Sequence, residues 1–289
     1  MLSRIATAAV LVPIVVALVW WGSPALIAAL ACVVAVLALV ELFDLGDKVG
    51  LRAFKKWAYL CTALVFYSQY SEGLAETHFF SEGVSVVRNA GTGVLSLDAA
   101  LLIFVFGCVA LGLATRRPLL EVLPAIAMSS AGIFFVALPF SYIVRVDEIQ
   151  RVGKQLILFT LVLIWAGDVL AYFVGKSFGR LKMAPALSPK KTWEGAVANV
   201  IASVLVAIAF ARWMQVDMRT LIAIAAAANI AGQCGDLIES AYKRGASVKD
   251  SGALLPGHGG VLDRIDSLIL AAPVVWVLYQ WLQGAIATP

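Results

Sequence analysis

The chain has 289 residues, of which 62% are apolar and 14% charged, and its mean hydropathy is +0.92. Soluble domains average about 45–50% apolar and about 25% charged, so this composition cannot cover a water-soluble globule with polar surface. It excludes disorder as well, which needs low hydrophobicity and high net charge. The class that remains is an integral membrane protein, and the net charge of +4 informs only through where the charges fall.

Crossing about 30 Å of hydrocarbon takes about 20 mainly apolar residues. In chain order the segments that qualify are 5–21, 24–40, 57–70, 99–114, 120–144, 155–175, 195–213, 220–234 and 262–282. The third is the shortest. None shows the alternation of an outer-membrane barrel strand. The expected fold is therefore all-α, a polytopic transmembrane helical bundle of about nine spans. The first span follows Arg4 as a signal peptide would. Its apolar run is too long for one, and a second span follows at once, so it reads as an uncleaved helix. With the N-terminus inside, 16 of the 22 Lys and Arg residues fall in inner loops and 6 in outer ones. The positive-inside rule then favours a cytoplasmic N-terminus and an outer C-terminus. Trp20, Trp21, Trp57, Trp193, Trp213 and Trp281 lie near span ends, as an aromatic belt would. Cys32, Cys61, Cys108 and Cys234 lack metal or redox spacing and read as small buried hydrophobes. The small residues Ala225–Ala228 permit close helix contact within one chain or between two, so a homodimer stays open.

Residues 1–150 read as scaffold: spans and short loops, with one longer Ser/Gly-rich outer loop at roughly 71–98. Residues 151–289 carry the polar groups, concentrated in two inner loops and the helix ends beside them. Asp168 lies about seven residues inside its span, roughly 10 Å deep at 1.5 Å per residue. A carboxylate there costs on the order of 3 kcal/mol and persists with a basic partner, a water-filled cavity or a bound cation. Asp236 sits at the inner end of the eighth span, with Glu239 three residues on and so on the same helical face. Asp263 and Asp266 share a face where the ninth helix begins. Asp236, Asp263 and Asp266 together could hold a divalent cation, and oxygen-only ligands beside phosphate suit Mg²⁺. The turn Pro256-Gly257-His258-Gly259-Gly260 presents backbone N–H groups at a helix start, a natural anion site or simply a tight turn.

The first inner loop holds Ser188-Pro189-Lys190-Lys191-Thr192. Ser188 or Thr192 could cap the seventh helix, while Lys190 and Lys191 offer positive charge to an anion. Neither inner loop contains a P-loop. Both face the cytoplasm in the orientation above, and a cytosolic nucleotide with a metal is the simplest ligand for them.

Residues 240–266, read as Ser240-x-Tyr242-Lys243-Arg244-x4-Lys249-Asp250-x-Gly252-x2-Leu255-Pro256-x-His258-Gly259-Gly260-Val261-x-Asp263-Arg264-Ile265-Asp266, resemble the signature of the CDP-diacylglycerol synthases, or phosphatidate cytidylyltransferases. Asp168–Tyr172 and Ser188–Thr192 resemble further segments of that family. Tyr242 departs from the usual aliphatic residue or Phe, and Val169 from a frequent hydroxyl residue. Neither change removes a charge. The resemblance implies that CTP and phosphatidic acid react to CDP-diacylglycerol and pyrophosphate, with Mg²⁺, in a multi-pass protein of the cell's inner membrane whose active site faces the cytoplasm. It implies catalytic roles for Asp236, Lys249, Asp263 and Asp266, the three aspartates as metal ligands. It implies substrate contacts from Ser188, Lys190, Lys191, Thr192, Ser240, Lys243, Arg244, His258, Gly259, Gly260 and Arg264. It also implies a second, monovalent ion, K⁺, for which Asp168 and Asp236 are the candidates. No nucleic acid is expected. The alternatives are a CTP-dependent lipid kinase, a cytidylyltransferase for archaeal ether lipids, or a cation-coupled transporter. The last is opposed by the lack of an inverted repeat and by polar groups crowding one face.

Overall fold

A computed structural model describes residues 2–81, 95–254 and 259–287, with side chains at 9–73, 95–254 and 259–282. The chain is an all-α polytopic membrane protein. Its helices are α1 (Leu2–Trp21), α2 (Pro24–Lys48), α3 (Lys55–Ser81), α4 (Leu97–Ala114), α5 (Leu119–Gly132), α6 (Leu138–Asp147), α7 (Gly153–Phe178), α8 (Trp193–Met214), α9 (Met218–Gly245) and α10 (Leu262–Ala287). Each expected span coincides with helix, the fifth with α5 and α6 joined by the π-turn Ile133–Ala137. Pro139 follows that turn and has no N–H for the carbonyl one turn back, an ordinary reason for a helix to widen locally. Among the described residues, seven helical runs are long and apolar enough to cross a membrane; α1, apolar over Ala9–Trp21, and α3 are not among them.

The chain divides into two compact units, Met1–Arg151 with Ser251–Leu262, and Val152–Asp250 with Asp263–Pro289. Sequence order had kept 251–262 together with the second half.

In the first unit α3 packs against α2, α4 and α6, around the fully buried Leu39, Phe43, Val65, Phe104, Ile133 and Val144. Ser23 caps α2, its Oγ accepting from Leu26 N at 3.3 Å, and Pro24 stands at the first helical position, where its missing N–H costs nothing. Ser96 caps α4 in the same way. Leu119, Leu120 and Leu123 are 74–91% exposed, as lipid-facing side chains of a membrane helix would be.

In the second unit α8 packs against both α7 and α9, with Phe159, Leu163, Leu221 and Ile224 in its core. Ala225 and Ala228 are buried inside this chain. Between α7 and α8 the structure adds an element the all-α reading lacked, an antiparallel hairpin of β1 (Lys182–Ala184) and β2 (Ser188–Thr192). Short, polar and flanked by turns, it leaves too weak a period to be seen in sequence. The cysteines are free; Cys61 and Cys108 are buried as expected, whereas Cys234 is exposed.

Candidate active site

β2 runs straight into α8. Thr192 is the N-cap of that helix, and its Oγ1 accepts from Gly195 N at 3.2 Å, so of the two caps expected it is Thr192 that serves. The Glu194 carboxylate accepts from Arg180 N at 3.0 Å and Leu181 N at 3.2 Å, closing the base of the hairpin. Arg244, at the end of α9, donates from Nε to the Leu187 carbonyl in the hairpin turn at 3.1 Å and from Nη1 to Val248 O at 2.9 Å. These bonds hold Lys190 and Lys191 over one end of the second unit.

There a cavity of about 650 Å³ opens. Lys176, Lys182, Lys190 and Lys191 line it, together with Asp168, Asp236, Thr192, Asn199, Asn229 and Gln233. Asp168, placed by sequence inside a span, is exposed to this cavity. Asn199 Nδ2 donates to its Oδ1 at 3.4 Å. Polar contact and an open cavity thus offset the cost of placing a carboxylate at that depth. Behind it, Asn229 Nδ2 donates to Asn199 Oδ1 and to Ser203 Oγ, both at 2.5 Å, and Gln233 Nε2 donates to Asn229 Oδ1 at 2.7 Å. Lys191 Nζ pairs with Asp236 Oδ2 at 2.5 Å.

Two helices bring the acidic groups together. A Cβ on Gly235 would stand 2.3 Å from the Asp266 carbonyl oxygen. Only glycine there lets α9 lie so close to α10. As a result Asp236, Glu239 and Asp266 each offer a carboxylate oxygen within 4.8 Å of the others. Asp263 is held differently. Lys243 Nζ reaches its Oδ1 at 2.6 Å and also pairs with Glu239 one helical turn back. The expected trio of Asp236, Asp263 and Asp266 is therefore replaced, as a compact cluster, by Asp236, Glu239 and Asp266, with Asp263 joined to it through Lys243. Lys191 and Lys243 already pair with two of these carboxylates, and oxygen donors at this spacing also fit Mg²⁺ or another hard ion.

Other expected residues are more scattered. Ser240 is buried in α9, Ser188 opens β2, and Lys249 and Arg264 are exposed. In the first unit, Gly259 adopts φ +79° just before α10, a conformation few residues but glycine take, and Gly260 follows it. His258 lies outside the described residues. Sequence reading missed the amides Asn199, Asn229 and Gln233, although polar side chains inside apolar spans were there to be noticed. It placed Glu239 on the face of Asp236 without counting it a ligand.

The arrangement offers carboxylates for a cation and, beside Asp236, lysines for a polyanion. Known proteins resemble this chain in sequence. A phosphatidate cytidylyltransferase of Bacillus subtilis (strain 168) is 39% identical over 146 residues, 50% of this chain and 54% of the relative. One from Haemophilus influenzae is 43% identical over 133 residues, 44% of this chain and 46% of the relative. One from Staphylococcus epidermidis is 36% identical over 149 residues, 51% and 56% of the two chains. The matched stretch spans about half the length of these curated relatives. The family match is far more extensive, running over residues 2–282, and on that extent the chain belongs to the Cytidylyltransferase family.

Proposed function

We propose that this protein is a membrane-embedded phosphatidate cytidylyltransferase. A phosphate oxygen of phosphatidic acid forms a bond to the α-phosphorus of CTP, the bond from that phosphorus to the bridging oxygen breaks, and pyrophosphate leaves. The observation that carries this reading is the convergence of Asp236, Glu239 and Asp266, with Asp236 also lining a cavity edged by lysines. The names of the relatives agree with it.

Asp236 and Asp266, with Glu239 beside them, would hold Mg²⁺, which when bound neutralises triphosphate charge and favours departure of pyrophosphate. Lys190 and Lys191 bind and orient the nucleotide phosphates. Lys243 keeps Glu239 and Asp263 in place by pairing with both. Asp168, in the same cavity as Asp236, is the candidate for a second, monovalent ion such as K⁺. Lys249 and Arg264, both exposed, supply further positive charge to the phosphates. Phosphoryl-type transfers depend mainly on positioning and charge stabilisation, and no covalent nucleophile is required. Facing the cytoplasm, as the placement of Lys and Arg supports, the site would meet CTP from the cytosol and the lipid phosphate at headgroup depth.

The test is purified protein in phosphatidate-containing liposomes with Mg²⁺ and labelled CTP. α-Label should enter the lipid. Entry of γ-label instead would make the protein a lipid kinase, and entry of neither would end both readings.

A further inference from the structure

Glu41 lies in α2, a helix otherwise rich in Ala, Leu and Val, and its side chain is buried with 4% exposure. A buried carboxylate is costly unless its oxygens are satisfied. Here they are met by a segment more than two hundred positions away in sequence. Oε1 accepts from Val261 N at 2.9 Å. Oε2 accepts from Leu262 N at 2.9 Å and from Ser251 Oγ at 2.8 Å. Val261 immediately precedes α10 and Leu262 opens it, so their backbone N–H groups have no partner within the helix. A carboxylate is their strongest available acceptor, by charge-assisted hydrogen bonding and by its favourable place at the positive end of the helix dipole. The backbone on both sides is shaped to admit it. A Cβ on Gly252 would stand 2.4 Å from Glu41 Oε1, and one on Gly260 would stand 2.2 Å from Oε2. Two signature glycines are thereby explained by one side chain.

We propose that Glu41 is a positioning residue for the reaction. It ties Ser251 to Val261 and Leu262 and sets where α10 begins, so that Gly259, Gly260 and the helix start leading into Asp263 and Asp266 take their working conformation. Glu41 touches no substrate; it acts through Ser251, Val261 and Leu262. Only the kinetic half of the proposal rests on the function proposed above.

The test pairs amide hydrogen exchange with kinetics, using the full-length protein in liposomes. Glu41→Gln keeps the length of the side chain but turns one acceptor into a donor facing N–H or O–H donors. Exchange of the amides at 251–254 and 259–262 should accelerate about tenfold or more, with α3 to α6 unchanged. Cytidylyl transfer should fall by about tenfold or more in kcat, with a smaller change in KM for CTP. Ser251→Ala, which removes one donor and is the safer variant for folding, should show the same pattern more weakly. The double variant should lose less than the two losses combined, because both remove the same bond. Unchanged exchange at 259–262 would overturn the clamp. Acceleration spread equally over α2 to α6 would make Glu41 a general packing residue and overturn its positioning role, as would local acceleration with unimpaired transfer. A wild-type protein that transfers no label defeats the proposed reaction instead, and the exchange result still decides whether Glu41 holds the turn.

Discussion

The two units differ in how far their buried polar side chains are linked to one another. In the first, Thr62, Ser68, Ser129 and Ser141 each donate to a carbonyl of their own helix, three or four residues back. Such hydroxyls are satisfied locally, and polar contacts between elements are isolated ones, as where Gln69 Nε2 donates to Ser141 Oγ at 3.2 Å or where Glu41 meets the start of α10. In the second, Asp168, Asn199, Ser203, Asn229 and Gln233 bond to one another across α7, α8 and α9. A network of that kind is costly in a membrane helix bundle, and it borders a cavity that a polar ligand can enter. The difference separates scaffold chemistry from site chemistry more cleanly than the count of charged residues does.

The sharpest way to break the comparison is at the acidic cluster. Asp236→Asn and Asp266→Asn should each lower cytidylyl transfer on the order of a hundredfold or more. The Mg²⁺ concentration needed for half-maximal rate should rise, with folding retained by size-exclusion chromatography. Near-normal turnover in both would remove the cluster from the reaction. Next comes Lys243→Met, which withdraws the cation between Glu239 and Asp263. Leaving buried carboxylates uncompensated should cost about 3 kcal/mol in detergent unfolding. Adding Glu239→Gln should recover part of that loss.

Smaller effects contrast the units directly. Asn229→Ala in the second unit should cut turnover about tenfold by freeing Asn199 and Gln233. Ser129→Ala in the first, which deprives Phe54 N of its 2.8 Å acceptor, should cost about 1 kcal/mol of stability without changing turnover. Equal effects on turnover would erase the distinction.

The smallest effect is at Asp217, the N-cap of α9. The Thr220 backbone N–H donates to it at 3.0 Å and holds its carboxyl below the usual carboxylate range. Because the folded pKa is depressed, this stabilisation is fully present above the ordinary carboxyl pKa and is lost as pH falls through the lowered one. Asp217→Asn, which still caps the helix, should flatten that acid limb of the unfolding profile while leaving stability near neutrality little changed.

Much of this was legible in the sequence. The spans were, since hydropathy summed over a helix length is a local property; so was the signature at 240–266, whose spacing survives without coordinates. Asp168 signalled a basic partner, a cavity or a bound cation, because a carboxylate at that depth needs one of them, and the structure decided for the cavity. The hairpin between α7 and α8 was not legible, its strands being too short for a period. Nor was the exposure of Cys234, since which face of α9 meets a neighbour depends on the packing of other helices. Glu41 carried a faint signal, an acidic residue amid the apolar run of α2, but nothing nearby says what it binds.

What the sequence determined by itself is that this chain is a helical membrane protein of the cytidylyltransferase family, with its acidic and basic groups gathered in the second half. What the tertiary structure decided is which of those groups meet: Glu239 beside Asp236 and Asp266, Asp263 on Lys243, and Glu41 on the start of α10. The reason is range. Apolar length and motif spacing are written along the chain, whereas the partner of a buried charge is set by how closely helices distant in sequence can approach, which here turns on single glycines such as Gly235 and Gly260.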